Sequence, residues 1–290
     1  METNWKTYYL YHKDHADTVL KGVVHPCIEN IETALKREVQ FFFIRYFENG
    51  YHIRLRLLLT DEESDDVLSL LKDHITAYEN LSGDSITLKE AEYIPETERY
   101  GNTKTMIYAE EQFCASSRFI LHNLVQNNPL TASERYLLAL KTHLVFFKGS
   151  EFPQSSIQQL CDKFIQSWLP VPFSENADEQ EQDRKNVLNA FQNQFDLYRN
   201  VLTENLTEFW NSLDQPTDSL FQEFLKTNKK VFKGYSQSRL SADAVDEALL
   251  SFIHMANNRL GIVNAEESYI LFLIMQMIPL IHNYDSKPEI

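Results

Sequence analysis

The chain has 290 residues, and its composition excludes several protein classes before any motif is considered. Its 42 acidic and 27 basic residues leave a formal charge of −15, which disfavours overall binding to nucleic acids or anionic membranes. With only seven widely spaced glycines, it has no dinucleotide fingerprint, P-loop or nucleophile elbow. A hydrophobic content of 43% is nevertheless enough for a folded globular protein.

The positions of the cysteines and histidines indicate a reducing compartment and exclude one common zinc motif. Cys27, Cys114 and Cys161 are isolated from one another, which suits a reducing compartment. No histidine is followed by Glu, so the His-Glu-x-x-His zinc motif is absent, and we predict neither a metal nor an organic cofactor. The N-terminus does not resemble a signal peptide, and the most apolar stretch, residues 269–281, is too short to cross a bilayer. These features predict a cytoplasmic protein without membrane insertion.

The first hundred residues predict a mixture of strands and helices. Two strand-like runs flank Glu48-Asn49-Gly50-Tyr51, and Asn-Gly between such runs is a strong hairpin signal. Thr60-Asp61-Glu62-Glu63 is typical of a helix start. The predicted strands cover residues 5–11, 40–47, 52–59 and 85–93, and the predicted helices cover 16–36, interrupted near Gly22 and Pro26, and 60–80.

From about residue 103 the pattern becomes helical, with an exposed loop predicted at 171–183. Helices are predicted at 104–124, 133–147, 155–167, 180–202, 220–232, 242–260 and 265–282. The fold class is therefore α+β, with an N-terminal mixed or antiparallel sheet that contains a hairpin and a long helical C-terminal half packed on it. We predict a single domain over residues 1–290, with a sheet-rich part (1–103) and a mainly helical part (104–290).

A row of basic side chains marks the second strand of the predicted hairpin. Because alternate residues of a strand share a face, His52, Arg54 and Arg56 point one way, and the apolar residues between them point towards a core. A two-residue turn at Asn49-Gly50 would place Arg45 opposite Arg54.

Like charges directly opposite each other destabilise a sheet, so this arginine face needs a compensating anion. Either protein carboxylates or a ligand supply it. A change of one residue in the hairpin register would move Arg45 to the other face.

Two other segments, a loop and the end of a helix, carry charged side chains that could belong to a site. Pro95-Glu96-Thr97-Glu98-Arg99-Tyr100-Gly101 combines Glu96 and Arg99 with a proline and a glycine, which is typical of a shaped loop or of a solvated turn. The helix that ends at Gly261 carries His254 and Asn258 on one face, with Arg259 near its C-terminal end. A lone helical histidine is more often structural than catalytic.

Together these segments resemble one family, the C-terminal elimination domain of lantibiotic dehydratases, which also occurs as stand-alone proteins in lantibiotic-like and thiopeptide pathways. The resemblance rests on motifs in the same order over most of the chain. The motifs are Ile44-Arg45-Tyr46 with His52-Ile53-Arg54-Leu55-Arg56, then Pro95-Glu96-x-Glu98-Arg99-Tyr100-Gly101, then Ile253-His254-Met255-x-x-Asn258-Arg259-Leu260.

The resemblance implies an activity. In this family a partner domain uses glutamyl-tRNA to glutamylate Ser or Thr of a ribosomal precursor peptide, and the elimination domain removes glutamate to leave dehydroalanine or dehydrobutyrine. Such chemistry needs a base for the α-proton and cations for the developing negative charge. The resemblance implies His254, Glu96 and Arg99 as catalytic residues, with the choice between His254 and Glu96 as base left open. It implies substrate binding by Arg45, His52, Arg54, Arg56 and Arg259.

The resemblance also implies partner molecules, and two other functions remain as alternatives to glutamate elimination. We expect a separate tRNA-dependent glutamylating enzyme, because 290 residues leave no room for the glutamylation domain, and we expect no direct binding of nucleic acid. Since family members are often dimers, a homodimer is compatible with the sequence. One alternative function is a pyridine synthase that joins two dehydroalanines by formal [4+2] cycloaddition. The other is a non-catalytic peptide-binding protein.

Overall fold

The computed structural model describes residues 2–13, 15–127, 129–169, 176–215, 217 and 219–284. The chain forms two compact units. The first contains residues 1–131 and 258–261, and the second contains residues 132–257 and 262–290. The first unit therefore extends beyond the predicted boundary at residue 103, and the single domain stays a prediction.

The first unit is built around a four-stranded antiparallel sheet in the order β2-β3-β1-β4. Ile53, Leu55 and Leu57 on one face of β3 are completely buried, as the alternating pattern predicts. This sheet and the helices that follow it confirm the α+β class. The strands are β1 (Thr3–Tyr11), β2 (Phe41–Tyr46), β3 (His52–Thr60) and β4 (Thr87–Ala91).

The hairpin is present, but its predicted register is wrong. Tyr46 pairs with His52, so the connection spans residues 47–51 and not a two-residue turn. Asn49 and Gly50 both have positive φ angles, 61° and 106°, which explains why this Asn-Gly pair forms the bend. Since the connection has an odd number of residues, Arg45 lies opposite Ile53 and shares its face, not that of Arg54.

Helices of the first unit cover the sheet. α3 contacts β1 and β3, and α4 contacts β2. The predicted helix start at Thr60 is confirmed, because Thr60 and Glu63 form a reciprocal capping box. The predicted interruption near Gly22 is a π-helical turn, and a Cβ atom on Gly22 would lie 2.7 Å from the Tyr78 ring. The helices are α1 (Ala16–Val19), the π-helical turn (Leu20–Val24), α2 (His25–Leu35), α3 (Asp61–Ser82) and α4 (Met106–Gln126).

Among the described residues of the second unit, every regular element of secondary structure is a helix. α10 packs against α5, α6 and α7, and α5 packs against α8. The loop predicted at 171–183 is wrong in its second part, because Asn176 caps a helix that begins at Ala177, and residues 171–175 lie outside the described chain. The helices are α5 (Ala132–Ser150), α6 (Gln154–Trp168), α7 (Ala177–Ser212), α8 (Leu220–Gln237), α9 (Ala242–Leu260), whose last three residues belong to the first unit, and α10 (Ala265–Tyr284).

No helix of the described chain is by itself long and apolar enough to span a membrane. Ala242–Leu260 and Ala265–Ile281 meet the length and composition criteria only when they are taken together as a bent pair.

Candidate functional site

The arginine face, defined here as His52, Arg54 and Arg56 of β3, lies in the first unit and is lined by aromatic rings. The guanidinium of Arg54 lies 3.5 Å from the centre of the Tyr46 ring and 4.8 Å from that of Tyr9. Both rings belong to neighbouring strands, where they flank β3 on the same face. These contacts hold the cation in place by cation–π attraction and leave its N–H groups for other partners.

His52 is buried and neutral. Its Nε2 atom accepts a hydrogen bond from Arg54 Nε at 3.2 Å, and since arginine only donates, the proton of the ring is on Nδ1. Nδ1 then donates to the Gly50 carbonyl oxygen at 2.8 Å. Burial lowers the pKa of His52, and the positive charge of Arg54 adds to this effect. We conclude that His52 orients Arg54.

Arg56 is 9% exposed and is also held between aromatic rings. Its guanidinium lies 5.1 Å from the Phe42 ring centre and 5.0 Å from that of Tyr93. Its buried Nε atom has no hydrogen-bond partner among the described residues. Burial lowers the pKa of Arg56, and the negative charge of Glu96 acts against that change. Arg56 is therefore a buried cation with an unused donor.

The segment from Pro95 to Gly101 brings further charges to the same unit. Arg99 Nη1 donates to Glu96 Oε2 at 3.2 Å, so these two side chains form an ion pair. Burial raises the pKa of Tyr100 to about 12, whereas Arg99, Arg259 and Arg56 act to lower it. The electrostatic effects of these three cations and of Glu96 thus converge on the Tyr100 side chain.

Arg259 is completely buried in the first unit. Its Nε donates to the Phe43 carbonyl oxygen at 3.0 Å, and its guanidinium lies 5.5 Å from the Phe113 ring centre. Both terminal nitrogens, Nη1 and Nη2, have no hydrogen-bond partner among the described residues. Burial lowers the pKa of Arg259 to about 10, so the side chain keeps its charge at neutral pH.

Arg45 does not share the face of Arg54, whereas its predicted role in substrate binding stays a prediction. Its Nη2 donates to Asp17 Oδ1 at 2.5 Å and to the Arg259 carbonyl oxygen at 2.9 Å. The Arg45 and Asp17 side chains are only 14% and 11% exposed. The physical reason is the register: on the face of Ile53, Arg45 is directed to helix α1 rather than to Arg54.

His254 belongs to the second unit, whereas the other predicted site residues belong to the first. Its Nδ1 lies 2.9 Å from Glu267 Oε2, and its ring centre lies 5.6 Å from that of Trp168. The His254 side chain is 26% exposed, while that of Glu267 is 3% exposed. No hydrogen bond to Nε2 of His254 is found within the described part of this unit.

A second histidine extends this arrangement. His143 Nε2 lies 2.8 Å from Asn257 Oδ1, and Asn257 Nδ2 donates to Glu267 Oε2 at 3.4 Å. Burial lowers the pKa of His143 to about 4, so this histidine is neutral at physiological pH. His254 and Asn257 thus both contact the same carboxylate oxygen, Oε2 of Glu267.

Three of these residues, Tyr100, Glu267 and His143, have no role predicted from the sequence. Tyr100 lies in the segment of residues 95–101, and its position next to Arg99 could have indicated that it belongs to the site. Glu267 lies in the first turn of α10, where acidic residues are ordinary, and His143 lies in an apolar helix. For these two the sequence offers no signal, because their partners lie on other helices.

Comparison with known proteins identifies the family. The lantibiotic biosynthesis dehydratase C-terminal family matches residues 5–278. The chain therefore belongs to this family, as the motifs of the arginine face and of the His254 helix predicted. No curated protein sequence matches it.

Solved structures share the fold. A pyridine synthase, TbtD, from thiomuracin biosynthesis has a TM-score of 0.68 at 12% identity, over 97% of this chain and 99% of that one. TsrL has a TM-score of 0.64 at 14% identity, over 99% of this chain and 100% of that one. The tRNA-dependent lantibiotic dehydratase MibB from Microbispora sp. 107891 has a TM-score of 0.61 at 18% identity, over 98% of this chain but 28% of that one. At these identities the likeness concerns the fold alone.

Proposed function

We propose that this protein eliminates glutamate from glutamylated Ser and Thr side chains of a ribosomally made precursor peptide, leaving dehydroalanine or dehydrobutyrine. The observation that carries the proposal is a pair of neighbouring guanidinium groups on the arginine face of a protein of charge −15. Among the described residues, the buried Nε of Arg56 has no hydrogen-bond partner and Arg54 has no carboxylate partner. A buried cation with unused donors is costly, and a carboxylate-bearing substrate compensates it. The glutamyl group supplies such carboxylates.

The proposed reaction is a β-elimination. His254 Nε2 takes the α-proton of the glutamylated residue, and the electron pair of the Cα–H bond forms the Cα–Cβ double bond. The bond between Cβ and the ester oxygen breaks, and glutamate departs with that oxygen as a carboxylate. The arginines stabilise the enolate-like charge and the departing carboxylate. The proton on His254 is then released to solvent, which completes the cycle without a metal or organic cofactor.

The proposal includes partners. A separate tRNA-dependent enzyme attaches the glutamate, and this chain handles only the glutamylated precursor peptide. Its cytoplasmic location stays a prediction, and a homodimer stays compatible with the sequence.

Replacement of His254 by Ala tests this function. We expect the precursor peptide, incubated with the glutamylating enzyme and this variant, to accumulate in glutamylated form, because attachment belongs to the other protein. Loss of a positioned acid/base group slows a step by about 10²- to 10⁴-fold. Intact mass spectrometry distinguishes a gain of glutamyl mass from the loss of water that marks a completed elimination. His122→Ala, on an exposed helical histidine, is the matched control and should eliminate normally.

Three results would contradict the proposal. Full dehydration by the His254→Ala variant removes His254 from the mechanism. A wild-type protein that ignores glutamylated peptide, yet cyclises a peptide with two dehydroalanines, is a cycloaddition enzyme instead. Retention of the peptide without any chemical change would indicate the non-catalytic alternative.

A further inference from the structure

The imidazole of His254 is held by a buried carboxylate that the reaction described above does not use. We infer that Glu267 is a positioning residue that fixes the tautomer and orientation of His254, an inference that rests on the proposed role of His254. Glu267 Oε2 lies 2.9 Å from Nδ1 of His254. The Glu267 side chain is 3% exposed, so water does not compete for this contact.

The direction of the hydrogen bonds follows from the neighbouring groups. Asn257 lies between His143 and Glu267, with Oδ1 2.8 Å from His143 Nε2 and Nδ2 3.4 Å from Glu267 Oε2. The reverse orientation of the Asn257 amide would set its oxygen against a carboxylate oxygen. His143 therefore donates to Asn257, Asn257 donates to Glu267, and Glu267 Oε2 remains an acceptor for His254 Nδ1–H.

The position of Glu267 in its helix supports its negative charge. It lies in the first turn of α10, where the free backbone N–H groups and the helix dipole favour an anion. Its neighbour Glu266 turns outward and accepts a hydrogen bond from Tyr136 at 2.7 Å. Of two adjacent carboxylates in one helical turn, only Glu267 contacts the histidine.

An aromatic ring also lies beside the imidazole of His254. The Trp168 ring lies 5.6 Å from the His254 ring, and Trp168 in turn stacks on Phe164 at 4.8 Å with an interplanar angle of 11°. Glu267 thus fixes one nitrogen while Trp168 limits rotation of the ring.

This geometry has a chemical consequence for proton abstraction. With Nδ1 carrying the proton, the lone pair on Nε2 is available to accept the α-proton of the substrate. The imidazolium that forms is then compensated by the Glu267 carboxylate, as in other carboxylate–histidine pairs. Without Glu267 the ring is free to adopt the Nε2–H tautomer, which has no lone pair at the reacting position.

Glu267→Gln and Glu267→Ala test the inference with two independent measurements. In ¹⁵N-histidine-labelled protein, NMR reports which ring nitrogen of His254 carries the proton, with the signal assigned by its loss in His254→Ala. We expect neutral His254 to be protonated at Nδ1 in the wild type and to shift towards Nε2–H in both variants. With a synthetic peptide that carries one O-glutamyl serine, kcat should fall at least about 10²-fold while KM changes little.

Glu266→Gln is the matched control, since it removes an adjacent carboxylate that does not contact His254. It should keep the wild-type tautomer and the wild-type kcat. Thermal melting of each variant separates loss of folding from loss of rate.

The outcomes separate this inference from the proposed function. Wild-type kcat and an unchanged tautomer in both Glu267 variants, with His254→Ala inactive, overturn the positioning role and leave the function standing. A lower thermal midpoint with unchanged kcat of the folded protein overturns it equally, because Glu267 is then only structural. If the wild type eliminates no glutamate from the peptide, the proposed function fails, and the positioning role fails with it whatever the tautomer.

Discussion

Arg45 and Arg54 carry the same charge on paired strands, yet their environments differ completely. Arg45 forms an ion pair with Asp17 at 2.5 Å, in which both partners are mostly buried. Arg54 has no carboxylate partner among the described residues and is held instead by the rings of Tyr46 and Tyr9. A buried ion pair indicates a structural role, whereas an uncompensated cation beside aromatic rings favours binding of an anion.

We therefore expect Lys substitutions to distinguish the arginines that bind substrate from the arginine that stabilises the fold. Arg54→Lys and Arg56→Lys keep the charge but lose the planar fork, so kcat/KM should fall about 10- to 100-fold, the cost of one charge-assisted hydrogen bond. Their thermal midpoints should stay close to that of the wild type. Arg45→Lys should lower the free energy of unfolding by about 2 kcal/mol, because the contacts with Asp17 and the Arg259 carbonyl weaken, and the folded fraction should stay active.

Steady-state kinetics on the glutamylated peptide and urea unfolding check both parts. If Arg54→Lys and Arg56→Lys unfold as readily as Arg45→Lys, the arginine face is a structural network. If Arg45→Lys instead folds normally but loses activity, the structural role that we propose for Arg45 fails.

At the scale of elements, the outer edge of β2 is protected without a further strand. The side-chain amide of Asn258 takes the place of a neighbouring strand. Its Oδ1 accepts a hydrogen bond from the Arg45 backbone N–H at 2.9 Å, and its Nδ2 donates one to the Arg45 carbonyl oxygen at 2.9 Å. Ser117 Oγ accepts from the Phe43 N–H, and Arg259 donates to the Phe43 carbonyl. Such satisfied groups stop an edge strand from pairing with another chain.

Asn258→Ala should open this edge locally. We expect hydrogen exchange of the Arg45 amide to accelerate at least about 10-fold and the free energy of unfolding to fall by about 1–3 kcal/mol, since two backbone groups lose their partners. Exchange measured by NMR, or by mass spectrometry of peptides covering residues 41–46, tests this. Ser117→Ala is the control, because it should expose the Phe43 amide and leave that of Arg45 protected. Unchanged protection of Arg45 in Asn258→Ala would show that Asn258 does not cap the strand.

The net charge acts at the scale of the whole molecule. With 42 acidic against 27 basic residues, the chain repels a polyanion, and several of its arginines are held within the protein. A cluster that is buried and lined with rings suits a small carboxylate better than an extended phosphate backbone.

The purified protein should therefore not retard tRNA in a native gel at physiological salt. The separate glutamylating enzyme is the positive control, because glutamyl-tRNA is its substrate in the proposed pathway. Submicromolar, salt-sensitive binding of tRNA by this chain would contradict the proposal that only the separate enzyme uses tRNA. A steep salt dependence is the signature of phosphate contacts.

Several properties of this protein follow from the sequence by itself. Hydrophobic periodicity predicted the α+β class and nearly all elements, because it reports which residues of a segment face a core. The capping box at Thr60 and the bend at Asn49-Gly50 are local, so their residues reveal them directly. The motifs around Arg54, Glu96 and His254 predicted the family, which the match over residues 5–278 confirms.

Other properties were decided only by the tertiary structure. The hairpin register depends on how residues 47–51 bend, and a shift of one residue sent Arg45 to the opposite face. The pairing of His254 with Glu267, and the contact of Asn257 with the same carboxylate, depend on how helices pack. The physical reason is the same in each case. Local patterns determine which residues form an element, whereas contacts between distant residues determine what each polar side chain meets.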